Sequence, residues 1–125
     1  MKKIRRILGK EQALEVTHKR ILPQEVILAG APHGGYTVFF QGREPAMAVG
    51  VYESSGPGAV HLRDYPHDEF CLLVKGDLVI RDMSGEEHRF RAGDTFVIPR
   101  GFEGEWIMET VIRKQFVVAA DVEAE

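Results

Sequence analysis

The chain has 125 residues, 44% of them hydrophobic, and a formal net charge of −3. That length holds one hydrophobic core rather than two, and that apolar share excludes a mainly disordered chain. No apolar run approaches the length needed to cross a bilayer, and no internal repeat or low-complexity tract is present.

Taken from the N-terminus, the first twenty residues hold seven Lys or Arg against two Glu, and the remainder holds nine against seventeen. A basic arm of this kind can meet nucleic acid or an anionic membrane. Here no aromatic interleaving or binding motif accompanies the charge, so neither partner is expected. A solvated arm, paired with the acidic body or with a neighbouring subunit, is the plainer reading. Residues 1–8 lack the apolar stretch of a secretory signal. The single cysteine, Cys71, cannot form an internal disulfide. Both features point to a reducing cytoplasm. Gln12 to Val16 allows a helical turn or an extra strand. Ala31 to Gly35 is a loop, and it does not join a strand to a helix as a phosphate cradle would.

Strand-like runs follow in quick succession. Tyr36–Phe40 and Ala46–Tyr52 flank a turn at residues 42–45, and Ala59–Tyr65 is a further strand. Asp77–Arg81 and Glu86–Arg91 flank Met83, Ser84 and Gly85, which read as a hairpin turn. Thr95–Ile98 is short and apolar, as a buried strand is, and Pro99 ends it because proline lacks the ladder donor. Gly101 supplies a backbone angle that other residues resist. Glu105–Met108 and Val111–Val118 complete the set, and Ala119–Glu125 reads as a frayed acidic tail. Many short strands at regular spacing predict a sandwich or closed barrel.

Two glycine-framed segments carry more specific information. Gly56, Glu69 and Gly76 frame the first, with Leu62 and Asp64 between them, while Gly93, Pro99, Gly101 and Gly104 frame the second. In order and spacing they resemble the two motifs of the cupin barrel, G-x5-H-x-H-x3-4-E-x6-G and G-x5-P-x-G-x2-H-x3-N. The three histidines are replaced, by Leu62, Asp64 and Gly104, or by Arg63 and Tyr65 at the first two positions with the shorter spacer. A narrower likeness rests on Asp68, Glu69, Cys71, Pro99, Gly101, Phe102, Trp106, Arg113 and Lys114. These resemble the small single-domain cupins that include a ureidoglycine-related and an ethanolamine-utilisation branch, in which the metal histidines are often missing. The likeness covers about residues 56–118. It implies an all-β double-stranded β-helix (jelly-roll barrel) over 36–118, with at most a short helical turn in an N-terminal arm of residues 1–35. That arm packs on the barrel or on a partner subunit.

Glu69 is the leading candidate side chain. A carboxylate pointing into an apolar lumen must find a partner or shift its pKa upward. It then serves either as a general acid or base or as half of a structural pair with a late cation, Arg113 or Lys114. Trp106 alternates with Gly104 and shares its face. If that face is inward, Trp106 is either a stacking wall for a planar or sugar-like ligand or a plug for a barrel with no metal. Tyr65, His67, Glu69, Trp106 and Arg113 are the expected pocket. Asp64, His67 and Glu69 form an alternative, rearranged site for a divalent transition metal, although no cofactor is favoured. Cys71 shares the face of Glu69 and reads as a buried thiol rather than a nucleophile. His18, His33 and His88 have no ligand spacing. The expected function is a small-molecule-binding barrel without the three-histidine site. The alternative is a hydrolase, isomerase or lyase acting on a small polar metabolite. Open sheet edges predict a homodimer.

Overall fold

Eleven strands and no helix are described in the computed structural model, which covers residues 2–9, 12–19, 26–30 and 34–122. They are β1 (His18–Lys19), β2 (Val26–Gly30), β3 (Gly34–Arg43), β4 (Ala46–Ser54), β5 (Gly58–Leu62), β6 (Glu69–Lys75), β7 (Asp77–Asp82), β8 (Glu87–Arg91), β9 (Thr95–Ile98), β10 (Gly104–Met108) and β11 (Ile112–Val118). One sheet runs β1-β3-β4-β11-β6-β9 and the other β2-β5-β10-β7-β8. All pairings are antiparallel. From β5 onward the chain passes repeatedly between the sheets, so neighbours in sequence end on opposite walls except in the β7–β8 hairpin. This is the jelly-roll connection expected from the strand pattern.

Alternation decides what faces inward. In β6, Glu69, Cys71 and Leu73 are buried while Phe70, Leu72 and Val74 are less so. In β10, Gly104, Trp106 and Met108 take the inner face. Val60, Leu62, Leu78, Ile80, Ile98, Ile112, Phe116 and Val118 join them in one continuous core between the sheets. The turns behave as the sequence requires. Gly101 has a φ of 86° and Gly85 one of 89°, both in the region open to glycine. The carboxylate of Asp82 accepts the N–H groups of Ser84 at 2.9 Å and Glu86 at 3.2 Å, closing the β7–β8 hairpin.

The N-terminal segment departs from one expected alternative. Residues 12–17 form no helical turn. Their backbone groups, with the Gly9 carbonyl, are committed elsewhere: Arg113 Nη1 donates to Gly9 O (2.7 Å) and to Gln12 O, Thr37 Oγ1 donates to Glu15 O, and Thr17 N–H donates to Tyr36 O at 3.2 Å. Gln115 Nε2 holds Leu8 O at 3.2 Å. A backbone whose polar groups are satisfied by a neighbouring sheet has no need of a helical ladder. At the other end, residues 120–122 make contacts with β3. Gln41 donates to Ala120 O (3.0 Å) and accepts from Val122 N–H (3.1 Å), and Arg43 pairs with Asp121. Residues 123–125 and His33 lie outside the described residues, while Gly34 and Gly35, expected in a loop, open β3.

Candidate functional site

The inner face of β6 brings a carboxylate into the apolar core, and β11 answers it. Period-2 alternation places Ile112, Lys114, Phe116 and Val118 on the inner side of β11. Lys114 stands opposite Tyr52 of β4 and Leu73 of β6. Its flexible stem runs along the core, and Nζ donates to Glu69 Oε2, with both side chains almost wholly buried. Tyr65 donates its hydroxyl to Glu69 Oε1 at 3.1 Å, and the Cys71 thiol donates to Oε2 at 3.0 Å. Lys114 Nζ also lies 3.6 Å from Cys71 Sγ, 4.7 Å from the centre of the Trp106 ring and 5.3 Å from that of Tyr52. Ring faces at these distances attract an ammonium. The result is a buried cluster of opposite charges with no net charge of its own.

Tyr65 is positioned by the two signature loops together. Its N–H donates to Phe102 O at 3.1 Å, and Gly101 N–H donates to Tyr65 O at 2.8 Å. Asp68 accepts the Arg100 N–H at 2.8 Å and locks the same junction.

The other expected residues are distributed differently. Arg113 points to the outer face, where Nε meets Glu53 at 2.7 Å beside the N-terminal segment. Lys114, not Arg113, is the cation that Glu69 meets. His67 is half-buried in the irregular approach to β6, before the strand begins. Asp64 is exposed, with a φ of 51°, a left-handed conformation that aspartate tolerates. Asp64, His67 and Glu69 are not brought within metal-ligating range of one another. Trp106 faces inward as its alternation requires, 4% exposed. Its indole Nε1 has no hydrogen-bond partner among the described residues.

The residues at the family's metal positions do not fit a metal. Leu62 is packed in the core. Any Cβ at Gly104 would meet the Arg81 carbonyl oxygen and lie 2.6 Å from the Phe102 ring, so Phe102 occupies the space a third ligand would need. The remaining carboxylate, Glu69, is already engaged by an ammonium, a phenol and a thiol. Outside the lumen, Asp82, Glu86 and His88 on the β7–β8 hairpin offer ligand atoms within 4.8 Å of one another. They are largely exposed, and Asp82 already holds the turn.

A cleft of about 360 Å³ opens beside the cluster, lined by Ile80, Asp82, His88, Phe90, Phe96, Val97, Ile98, Pro99 and Phe102. Its walls are one strand away from the polar groups: Ile98 pairs with Glu69, Phe96 with Cys71, and Ile80 with Trp106. Phe90 and Phe96 stack at 4.3 Å, and Phe96 meets Trp106 edge-on at 6.4 Å.

Two predictions follow from the cluster. Removing one charge strands the other in the core, so Glu69→Gln or Lys114→Met should each destabilise the fold by about 3–5 kcal/mol. The double replacement Glu69→Leu with Lys114→Met should recover most of that loss in urea denaturation; a double variant as unstable as the worse single would refute the pairing. Burial pushes the Cys71 thiol up to about 12, with Lys114 opposing the shift and Glu69 adding to it. Since the unfolded thiol ionises near 9.0, this contribution is complete below that pH and is lost as pH rises toward 12. Wild type should therefore lose stability faster than Cys71→Ala between pH 9 and 11, with parallel curves below; parallel curves throughout would show that the thiol is not held neutral.

The comparisons agree with this architecture. A family model described as an EutQ-like cupin domain matches residues 42–116. An ethanolamine utilisation protein Q from Salmonella typhimurium is 24% identical, with 71% of each chain covered and a TM-score of 0.60. The EutQ protein of Clostridium difficile is 18% identical over 74% of this chain and 71% of its own, with a TM-score of 0.63. A protein of unknown function from Pseudomonas syringae is 19% identical, with a TM-score of 0.71, and 86% of this chain covers 45% of it. No curated protein matches the chain by sequence. At these identities the solved structures speak for the fold alone, while the family model spans more than half of the chain: the protein belongs to the EutQ-like cupin domain family.

Proposed function

We propose that the protein binds a small metabolite inside the barrel, at a metal-independent site centred on Glu69 and Lys114 and reached through the cleft walled by β7, β8 and β9. One observation carries this reading: a charged pair enclosed in an apolar core lies one strand behind an aromatic-walled cleft of ligand size. A buried ion pair is weak as a stability device, since an apolar replacement of equal volume often does as well. A ligand that exchanges hydrogen bonds with the pair gives it a use. Tyr65, Trp106 and His67 flank the approach in this reading, and Arg113 serves the fold from outside. The second reading is acid–base chemistry, with a proton passing between a substrate in the same place and Glu69, whose two oxygens are the acceptors of the cluster.

The test is a thermal-shift screen of protein purified without added metal, against amino alcohols, ureido compounds, sugars and other small polar metabolites. The amino alcohols are included because a similar protein is named for ethanolamine utilisation. A metabolite should raise the melting temperature of wild type and not that of Glu69→Gln, with substoichiometric metal by elemental analysis. Stoichiometric transition metal, lost together with binding, would overturn the metal-independent site. Turnover of the stabilising compound, abolished by Glu69→Gln, would favour the enzyme.

The working unit in this proposal is a homodimer in a reducing cytoplasm, with no nucleic acid or membrane partner. Phe70 and Val97 pair across β6 and β9 on the outer face, 47% and 62% exposed, and β9 has no further strand beside it among the described residues. Such an apolar edge is a natural contact for a second copy. Light scattering at tens of micromolar should give twice the chain mass, falling toward the monomer in Val97→Lys; a monomeric wild type would refute the dimer.

A further inference from the structure

The indole beside the ion pair carries a cost of its own. Trp106 is 4% exposed, yet its N–H donor has no acceptor among the described residues. A buried donor left unsatisfied forfeits its hydration with no return. The side chain is held by Ile80 and Val60 on either side in the sheet and by the edge of Phe96. Ile80 and Phe96 are also walls of the cleft, so the two residues that separate the indole from the cleft belong to both.

Resting on the metabolite-binding reading, we infer that the ligand is an uncharged, carbonyl-bearing molecule with an apolar body, whose oxygen accepts the Trp106 Nε1–H hydrogen bond. Three observations select this class. The cleft is walled mainly by Ile80, Phe90, Phe96, Ile98 and Phe102, which suit hydrocarbon or a flat ring. Lys114 is already neutralised by Glu69, so the lumen offers a free anion no countercharge and charges it the full desolvation penalty. At the mouth, Asp82 and His88 line the cleft and already face each other at 3.3 Å, so neither is a free countercharge for a carboxylate. An ammonium group can approach Asp82 but offers no acceptor to an indole N–H. An amide, lactam or ketone meets all of these conditions. The indole nitrogen is closed off from solvent, so Phe96 yields as the carbonyl arrives.

Trp106 is the sole tryptophan of the chain, so ¹⁵N-labelled protein gives one indole N–H cross-peak, and it reports this group alone. Titration with δ-valerolactam should move that peak downfield to saturation, while piperidinium and cyclohexanecarboxylate should not. Trp106→Phe, which keeps the ring and removes the donor, should weaken lactam binding about tenfold. If that variant does not fold, the wild-type cross-peak carries the test unaided. Three results would overturn the inference: an indole peak unmoved by the lactam, equal saturable shifts from the charged probes, or cross-relaxation of the indole proton to a bound water that the lactam does not displace. A library metabolite that stabilises the protein without moving this peak sinks this assignment and leaves the binding function standing.

Discussion

The arrangement turns on a carboxylate that β6 places inside an apolar barrel. Glu69 begins its strand on the inner face, and from there every neighbour is constrained. The core must supply donors, and it does so from three directions: Lys114 from β11, Tyr65 from the loop between β5 and β6, and Cys71 from two residues further along the same strand. The charge of Lys114 has a consequence on the opposite face. Because residues alternate, an inward Lys114 turns Arg113 outward, onto Glu53 and the carbonyls of Gly9 and Gln12. The extended course of the N-terminal segment is thus linked, through one strand, to the chemistry of the lumen.

The metal positions of the family illustrate a substitution of one kind of cohesion for another. A metal holds several strands together by gathering their ligands at a point. Here the same loops are joined by main-chain bonds between Tyr65, Gly101 and Phe102, while the Phe102 ring fills the volume above Gly104. The glycine and proline framework survives because it serves backbone geometry, which does not depend on what the lumen contains. The three histidine positions do depend on it, and here they hold other residues while Glu69 remains.

Much of this was legible in the sequence because local rules agree with the fold. Thr95–Ile98 stops at Pro99, the β7–β8 hairpin closes where Asp82 and Gly85 allow, and the spacing of Gly56, Glu69, Gly76, Gly93 and Pro99 pointed to the barrel. What proved harder was direction. Arg113 was as good a candidate as Lys114 by charge, and only the inner column Ile112, Phe116 and Val118 assigns Lys114 to the core. That period-2 signal is present in the chain and would have found the pair. The face of His67 was not legible because the approach to β6 is irregular, so alternation counted back from Glu69 does not reach it. The cleft and the unpartnered indole had no local signal: both arise where β7, β8, β9 and β10 meet, and their side chains are set by long-range register.

A fold selected for stability alone has simpler ways to fill this interior. Leucine and methionine in place of Glu69 and Lys114 would occupy similar volume without desolvating two charges, and phenylalanine in place of Trp106 would keep the ring without burying a donor. The chain does neither, and the two departures lie side by side, with Lys114 Nζ 4.7 Å from the indole ring. Local rules are broken in natural proteins mainly where a function repays the cost. One buried polar residue can be an accident of packing. An ion pair, a phenol, a thiol and an N–H with no partner among the described residues gather in one part of the core, one strand behind an aromatic cleft, and the proposed ligand accounts for that concentration.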